Sequence, residues 1–367
     1  MRAVQREPEI TPAGGTTWEA GGGAQPATEG VVVPGSETRS WKRSVVRWES
    51  GLAIVLVGVI LLGWGVSPQF LTSANIFNIC LLNGEIALMV LPLTLIIVTG
   101  EIDLSIASTL GLSSAMCGYL WEHGWPMPGI IVTCLAIGVV TGSFNGLLVT
   151  RAGLPSLAVT IGTLALYRGI ALIILGPTVI SNFPAFYTQI GVNSIPHTPL
   201  SFSAVIFIVL AIVFTIVLQA TPLGRSIFAM GANKDAAIYA GIRVKRIKTG
   251  LFILSGVTCS LAGVLWTFRL ATSEYDNAIG LELSVVAIVV LGGVSIYGGK
   301  GSLVGVLLAI LVFSGLESAL FLTNFPEEAE GVVTGGLLLV SVLVPNASLL
   351  SVRLRETRKR HRLSSRP

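Results

Sequence analysis

The sequence is poor in charge. Asp, Glu, Lys and Arg together make up 11% of its 367 residues, where a soluble globular domain carries about 25%. That deficit excludes an ordinary water-soluble domain, which needs ionisable groups to cover its surface. Histidine is scarce too: His123 and His197 fall in expected connecting loops and His361 in the basic C-terminal run, so no metal-spaced cluster forms. The four cysteines, Cys80, Cys117, Cys134 and Cys259, lie inside apolar runs without C-x-x-C spacing. They read as small buried hydrophobes, not as disulfides or metal ligands. There is no Ser/His/Asp set and no pair of catalytic carboxylates, so hydrolytic chemistry has no support. No G-x-x-x-x-G-K-[ST] loop occurs either; the nearest imitation, "GGVSIYGGKGS" at 292–302, has the wrong spacing. The chain is therefore read as no enzyme, with neither cofactor nor metal, and any ATP hydrolysis must occur on a separate subunit. Nothing in the first 45 residues, polar and rich in Gly and Pro, resembles a cleaved signal peptide, so none is expected.

What the chain has instead is oil: 52% hydrophobic residues and a mean hydropathy of +0.81. Hydrocarbon satisfies no backbone N–H or C=O, so a spanning segment must be a helix of roughly 20 apolar residues. Such runs lie near 51–67, 75–99, 104–121, 128–150, 156–175, 203–219, 246–268, 281–298, 302–322 and 330–347. The expected fold is an all-α membrane protein of about ten transmembrane helices. Residues 1–45 read as a disordered cytoplasmic tail, 46–350 as the membrane domain and 351–367 as a basic cytoplasmic tail. Basic residues cluster at 39–47, 225–248 and 353–362 ("RLRETRKRHR"), each beside a span. Ten spans with the N-terminus inside return the C-terminus inside and put the 221–248 loop inside as well, which is the positive-inside pattern. The net charge of +4 thus marks topology and, at 353–362, an option of attraction to anionic membrane lipid; it does not mark nucleic acid.

Two loops are long. The segment 176–202, rich in Pro, Asn and aromatics, falls outside by parity and reads either as a cap over a vestibule or as a plain connector. In 221–248, Asn233 can cap a short helix, Asp235 sits in its first turn and Gly241 stops it. That helix carries Ala236, Ala237, Ile238 and Tyr239. It reads either as an apolar element seeking a groove on another protein or as a helix lying on the inner leaflet.

The stretch "VTGEIDLSIAS" at 98–108 places two acids between apolar runs. An ionisable group deep in a span costs about 2.5 to 3.5 kcal/mol, so each needs a partner or a cavity. Asp103 follows Gly100 and precedes Ser105, where a new helix can begin. A carboxylate there accepts from free N–H groups and pins a broken or re-entrant helix; direct contact with a solute is the alternative. Glu101 is expected to pair with Arg168. Glu85 and Glu282 lie near helix starts, and Glu317 falls in the ninth span. Asn75, Asn78, Asn83, Ser105, Thr160, Thr163 and Tyr167 read either as the lining of a polar path or as helix–helix contacts. Residues 94–114 and 285–311 share an apolar run, a glycine-marked break and a second apolar run, a candidate internal pseudo-repeat of the kind that transporters use.

Five collinear blocks carry a resemblance: "FLTSANIFNIC", "TLIIVTGEIDLSIAS", "GLPSLAVTIGTLALYRGIALI", "TPLGRSIFAMGANKDAAIYAGIRVKRIKTGLFILSG" and "VVAIVVLGGVSIYGGKGSLVG". From about 45 to 347 the chain resembles the permeases of the ribose-type ABC sugar importers, the carbohydrate branch related to branched-chain amino-acid importers, which includes ribose, xylose, rhamnose and autoinducer uptake systems. In that family the first break usually reads Gly-Gly-Ile-Asp-Leu-Ser; here the second glycine is Glu101. The ninth span, usually amide-bearing, reads "GLESALFLTNFP". The resemblance implies an inner-membrane permease that translocates a monosaccharide or similar small polyol-like solute. It also implies the partners: a cytoplasmic ATP-binding subunit, an extracytoplasmic sugar-binding protein and a second permease copy or paralogue. It matches Gly231, Asn233, Asp235, Ala236, Ala237, Tyr239 and Gly241 to an ATPase-coupling loop, and Gly100, Glu101, Asp103, Ser105, Asn83, Tyr167, Arg168 and Glu317 to the helix break or translocation path. The competing expectation is an ion-coupled secondary transporter in which Glu101 and Asp103 carry protons.

Overall fold

A computed structural model describes residues 37–323 continuously, with Phe325, residues 331–337, Leu339 and Leu343 beyond them, and side chains from Trp48 onward. Of the expected disordered tail 1–45, residues 1–36 fall outside the described residues and 37–45 form the start of the first helix; residues 351–367 and much of the tenth expected span also fall outside.

The described chain is helical, its only ladder pairs being isolated bridges at Ile180–Ser273 and Ser194–Ser201. Its helices are α1 (Glu37–Val66), α2 (Ser73–Val98), α3 (Ile106–Glu122), α4 (Met127–Thr150), α5 (Ser156–Leu175), α6 (Ala185–Val192), α7 (Phe202–Ala220), α8 (Pro222–Ala232), α9 (Lys234–Tyr239), α10 (Val244–Leu270), α11 (Leu281–Leu291) and α12 (Leu303–Leu322). Seven of them, α1, α2, α4, α5, α7, α10 and α12, contain a stretch long and apolar enough to cross a membrane.

One expected span comes out short: α11 has 11 residues because it runs into a glycine-marked break, whereas α3, with 17, nearly fills the expected 104–121. The expected span 281–298 is corrected accordingly: its helix ends at Leu291, where Gly292 and a left-handed Gly293 (φ +83°) stop it.

The core lies around α2, whose apolar window is 89% buried, against 17% for α1. An apolar helix without a polar face is one that is surrounded, and α2 packs against α10, α7, α11 and α12. The second core helix, α10, meets α4 almost backbone to backbone. A Cβ on Gly138 or Gly142 would overlap the carbonyl of Gly256 or Phe252, so the small residues spaced by four on α4 set this approach. Across the nearby α3–α10 contact, Ser113 Oγ donates to the Ser260 carbonyl at 2.8 Å. Such bonds matter where lipid supplies no hydrophobic drive between helices.

Candidate functional site: a junction of two broken helices and a loop

At the first break α2 closes on itself. Thr99 Oγ1 donates to Ile96 O at 2.8 Å, the Gly100 N–H reaches Ile97 O at 2.9 Å, and Gly100 takes φ +79°, a left-handed conformation that favours glycine. Residues 101–104 are non-helical. Asp103, 3% exposed, lies two residues before the N-cap of α3. Its Oδ1 accepts from the Ser105 N–H at 3.0 Å and from Ser105 Oγ at 2.6 Å, and its Oδ2 accepts from Ser255 Oγ at 3.1 Å. Asn145 Nδ2 donates to Ser105 Oγ at 2.8 Å, and Tyr167 OH lies 3.1 Å from Asn145 Oδ1 and 3.0 Å from the Thr141 carbonyl. One polar network therefore joins the start of α3 to α4, α5 and α10. Ile102 is held between Ser156 Oγ and Thr160 Oγ1 through its own N–H and C=O, at 3.1 and 3.3 Å.

The second break, 292–302, folds as a glycine turn in which Ser295 N–H reaches Lys300 O at 3.0 Å. The Gly299 N–H then bonds Val98 O at 2.8 Å, joining the two breaks directly. A third segment enters at the same point, where a Cβ on Gly231 of α8 would overlap Val98 O and Gly299 N. A Cβ on Gly298 (φ +81°) would sit 2.8 Å from Gly100 N and 3.0 Å from Gly231 O. Both breaks and the end of α8 thus meet through glycine backbones, with no side chain able to fit between them.

The charges pair differently from expectation. Glu101 Oε1 lies 2.5 Å from Lys248 Nζ, the side chains being 18% and 6% exposed. Arg168 instead donates from Nη1 to the carbonyls of Tyr275 and Asn277 at 3.0 and 2.6 Å, holding the segment between α10 and α11 against the bundle. The expected Glu101–Arg168 pair is corrected. Lys248 belongs to the basic cluster by composition, but α10 already starts at Val244. Its buried stripe of Val244, Lys248, Leu251, Phe252 and Ser255 follows helical spacing and turns Lys248 inward. Glu85, 1% exposed, pairs with Arg269 Nε at 3.3 Å. Glu282 lies in the first turn of α11.

Beyond Gly231, Asn233 caps α9 by accepting from the Ala236 N–H at 3.0 Å, Asp235 lies in the first turn, and Gly241 (φ +81°) follows its end. Ala236 is exposed. Ala237 is buried within the chain, so it is no part of an outward apolar face; Ile238 and Tyr239, 51% and 92% exposed, present that face. Asn83 and Glu317 are not at this junction and line a separate cavity with Asn75 and Asn78.

Broken helices that meet inside a membrane bundle are a feature of many transporter folds, and the comparison with known proteins agrees. The family described as branched-chain amino acid transport system / permease component matches residues 75–342. The chain belongs to this permease family. Among its relatives, the autoinducer 2 import system permease protein LsrD of Escherichia coli (strain K12) is 31% identical over 84% of this chain and 95% of its own length. The protein of the same name from Photorhabdus temperata is 32% identical over 87% of this chain and 97% of its own. No solved structure matches.

In this permease, the sequence-based reading finds the break (Gly100, Asp103, Ser105) and the caps of α9, but misses Asn145, Ser255, Lys248 and Arg269. Asn145 and Ser255 look like the ordinary polar sprinkling of a membrane helix. Only Lys248 carries a retrievable signal, the i, i+4 stripe with Val244 and Phe252.

Proposed function

We propose that this permease is the membrane-spanning subunit of an ATP-driven importer, carrying a monosaccharide or similar small polyol-like solute across an inner membrane, with ATP hydrolysed on a separate cytoplasmic subunit. In this reading α9 is the element that the ATP-binding subunit grips, both termini are cytoplasmic, a second permease copy or paralogue completes the pore, and an extracytoplasmic binding protein delivers the solute. One observation carries the reading: the end of α8, which leads directly into α9, is pressed by Gly231 onto Val98 and Gly299. A push on α9 therefore has a backbone route to both helix breaks, with no flexible side chain to absorb it. The names of the relatives refer to autoinducer 2 import, which supports the importer reading.

The test is uptake by the reconstituted transporter with its ATP-binding subunit. Tyr239→Ala combined with Ile238→Ser should abolish copurification and uptake while membrane insertion and thermal stability stay at wild-type level, because both side chains face outward. Undiminished uptake in that variant would sink the coupling role of α9. An uncoupler applied at constant ATP separates the ion-coupled alternative. Collapse of accumulation would favour protons on Glu101 and Asp103, whereas here Glu101 is engaged by Lys248 and Asp103 by three donors.

A further inference from the structure

A cavity of about 370 Å³ opens between the first half of α2, the last turn of α10 and the last turns of α12. Ligand pockets run from roughly 300 to 1,000 Å³, so this one has room for a single small solute. Its walls hold an unusual concentration of unspent polar capacity. Among the described residues, the buried side-chain polar atoms without a hydrogen-bond partner are Asn83 Oδ1, Glu85 Oε2, Trp266 Nε1 and Arg269 Nε. Asn83, Trp266 and Arg269 all line this cavity, and Glu85 is the ion-pair partner of Arg269. Asn83 itself is 8% exposed. Leaving such an atom unpaired costs about 1–3 kcal/mol, and native interiors leave few of them. Arg269 Nε and Glu85 Oε2 face each other as an ion pair, which leaves Asn83 Oδ1 and Trp266 Nε1 with no partner of any kind, and a ligand in the cavity that pairs both explains them together.

The chemistry of the wall selects the ligand. Asn83 Oδ1 is an acceptor, while Trp266 Nε1 is a donor only. A hydroxyl group gives and takes hydrogen bonds, so a polyhydroxylated ring satisfies both, and the soft χ2 torsion of Asn83 lets its amide turn to meet it. An anion finds no spare positive charge, because the Arg269 guanidinium is matched by Glu85 and lies 4.5 Å over the Trp266 ring. A purely apolar ligand leaves the polar atoms as they are. Ile79, Leu82, Ile86, Leu281 and Phe321 supply the apolar part of the lining, and Glu317 adds a carboxylate that further disfavours an anion.

We propose that this cavity is a holding site for an uncharged sugar-like solute on its way through the permease, with Asn83 accepting from a hydroxyl and Trp266 Nε1 donating to a ring or hydroxyl oxygen. The proposal rests on the importer reading above and adds where, and through which atoms, the solute is held. It lies toward the end of α2 remote from the glycine junction, so solute and coupling loop act at opposite ends of one buried helix.

The test uses the full-length permease in lipid nanodiscs, probed with radiolabelled D-ribose, D-xylose and L-rhamnose, and with L-leucine and gluconate as zwitterionic and anionic controls. At least one sugar should bind the wild type, and neither control should. Asn83→Leu and Trp266→Phe should each weaken that binding about tenfold or more, one hydrogen bond's worth in a buried site, while the thermal midpoint stays level or rises because an unpaired polar atom is gone. Wild-type sugar binding in both variants, binding of leucine or gluconate in preference to sugar, or no sugar binding at all would each overturn the proposal. ATP-driven uptake is measured on the same variants with the ATP-binding subunit present. Intact ATP-dependent sugar uptake in Asn83→Leu removes the cavity from the path and leaves the importer standing. Wild-type accumulation that ignores ATP removes the importer, whatever the cavity binds.

Discussion

Glu101 stands where the resembled family usually has glycine, and the structure gives its presence a specific consequence. Lys248 is 6% exposed and its ammonium lies 2.5 Å from the Glu101 carboxylate. Removing one member of a buried pair leaves a charge uncompensated and costs about 3–5 kcal/mol, whereas replacing both by neutral groups is often close to neutral. Glu101→Gly therefore strands Lys248 and should fall in that range. Glu101→Gln, which keeps an acceptor near the ammonium, should cost less, about 2 kcal/mol on the scale of a hydrogen bond to a charged group. Lys248→Met alone strands the carboxylate, which at 18% exposure is partly rescued by water. The decisive variant is Glu101→Gly with Lys248→Met. It should be more stable than Glu101→Gly alone, with a coupling energy of about 2–3 kcal/mol, at the upper end for residues in direct contact. Equilibrium unfolding by SDS titration, followed by tryptophan fluorescence, reads each corner of the cycle. Strict additivity would refute the argument, since it would mean that the two charges do not feel each other and that Glu101 is held by something else.

Three further outcomes follow from the backbone and side-chain contacts. Gly298→Ala adds a Cβ 2.8 Å from Gly100 N and 3.0 Å from Gly231 O at φ +81°; beyond about 1–2 kcal/mol of left-handed strain, it should pry the breaks apart and cut uptake about tenfold or more at normal expression. Gly250→Ala, with open space around its Cβ, is the matched control and should leave uptake unchanged. Asp103→Ala leaves the Ser105 N–H and the Ser105 and Ser255 hydroxyls without their acceptor, at about 1–3 kcal/mol for each buried group left unsatisfied, so the midpoint in the SDS titration should drop clearly. Arg168→Met removes the donor to Tyr275 O and Asn277 O, and hydrogen exchange should then quicken in residues 271–280 with little change in α4.

The class of this protein was legible because a bilayer imposes one-dimensional rules. Roughly 20 apolar residues make a span, basic residues flank it, and a glycine with a carboxylate three residues on marks a break and a fresh helix start. Asn233, Asp235 and Gly241 likewise act on their own neighbours, so the caps of α9 needed no knowledge of the rest of the chain. Pairings across the bundle obey no such rule. Whether Glu101 meets Arg168 or Lys248 depends on the rotation of α10 about its axis. The close contact of Gly138, Gly142 and Gly256 fixes which face of α10 meets α4. Ala237 shows the same limit at short range, apolar like Ile238 yet turned inward because α9 lies against the chain on one side.

The sequence by itself determined that this is a helical membrane protein with a break at Gly100 and a capped short helix after Asn233, since each is decided by burial energy or local backbone chemistry within a few residues. Only the tertiary structure decided that the two breaks and the end of α8 touch through Gly100, Gly231, Gly298 and Gly299, and that Asn83 and Trp266 border one cavity. Contacts between residues far apart in the chain are fixed by packing distance, and packing distance is a property of surfaces that exist only once the helices have come together.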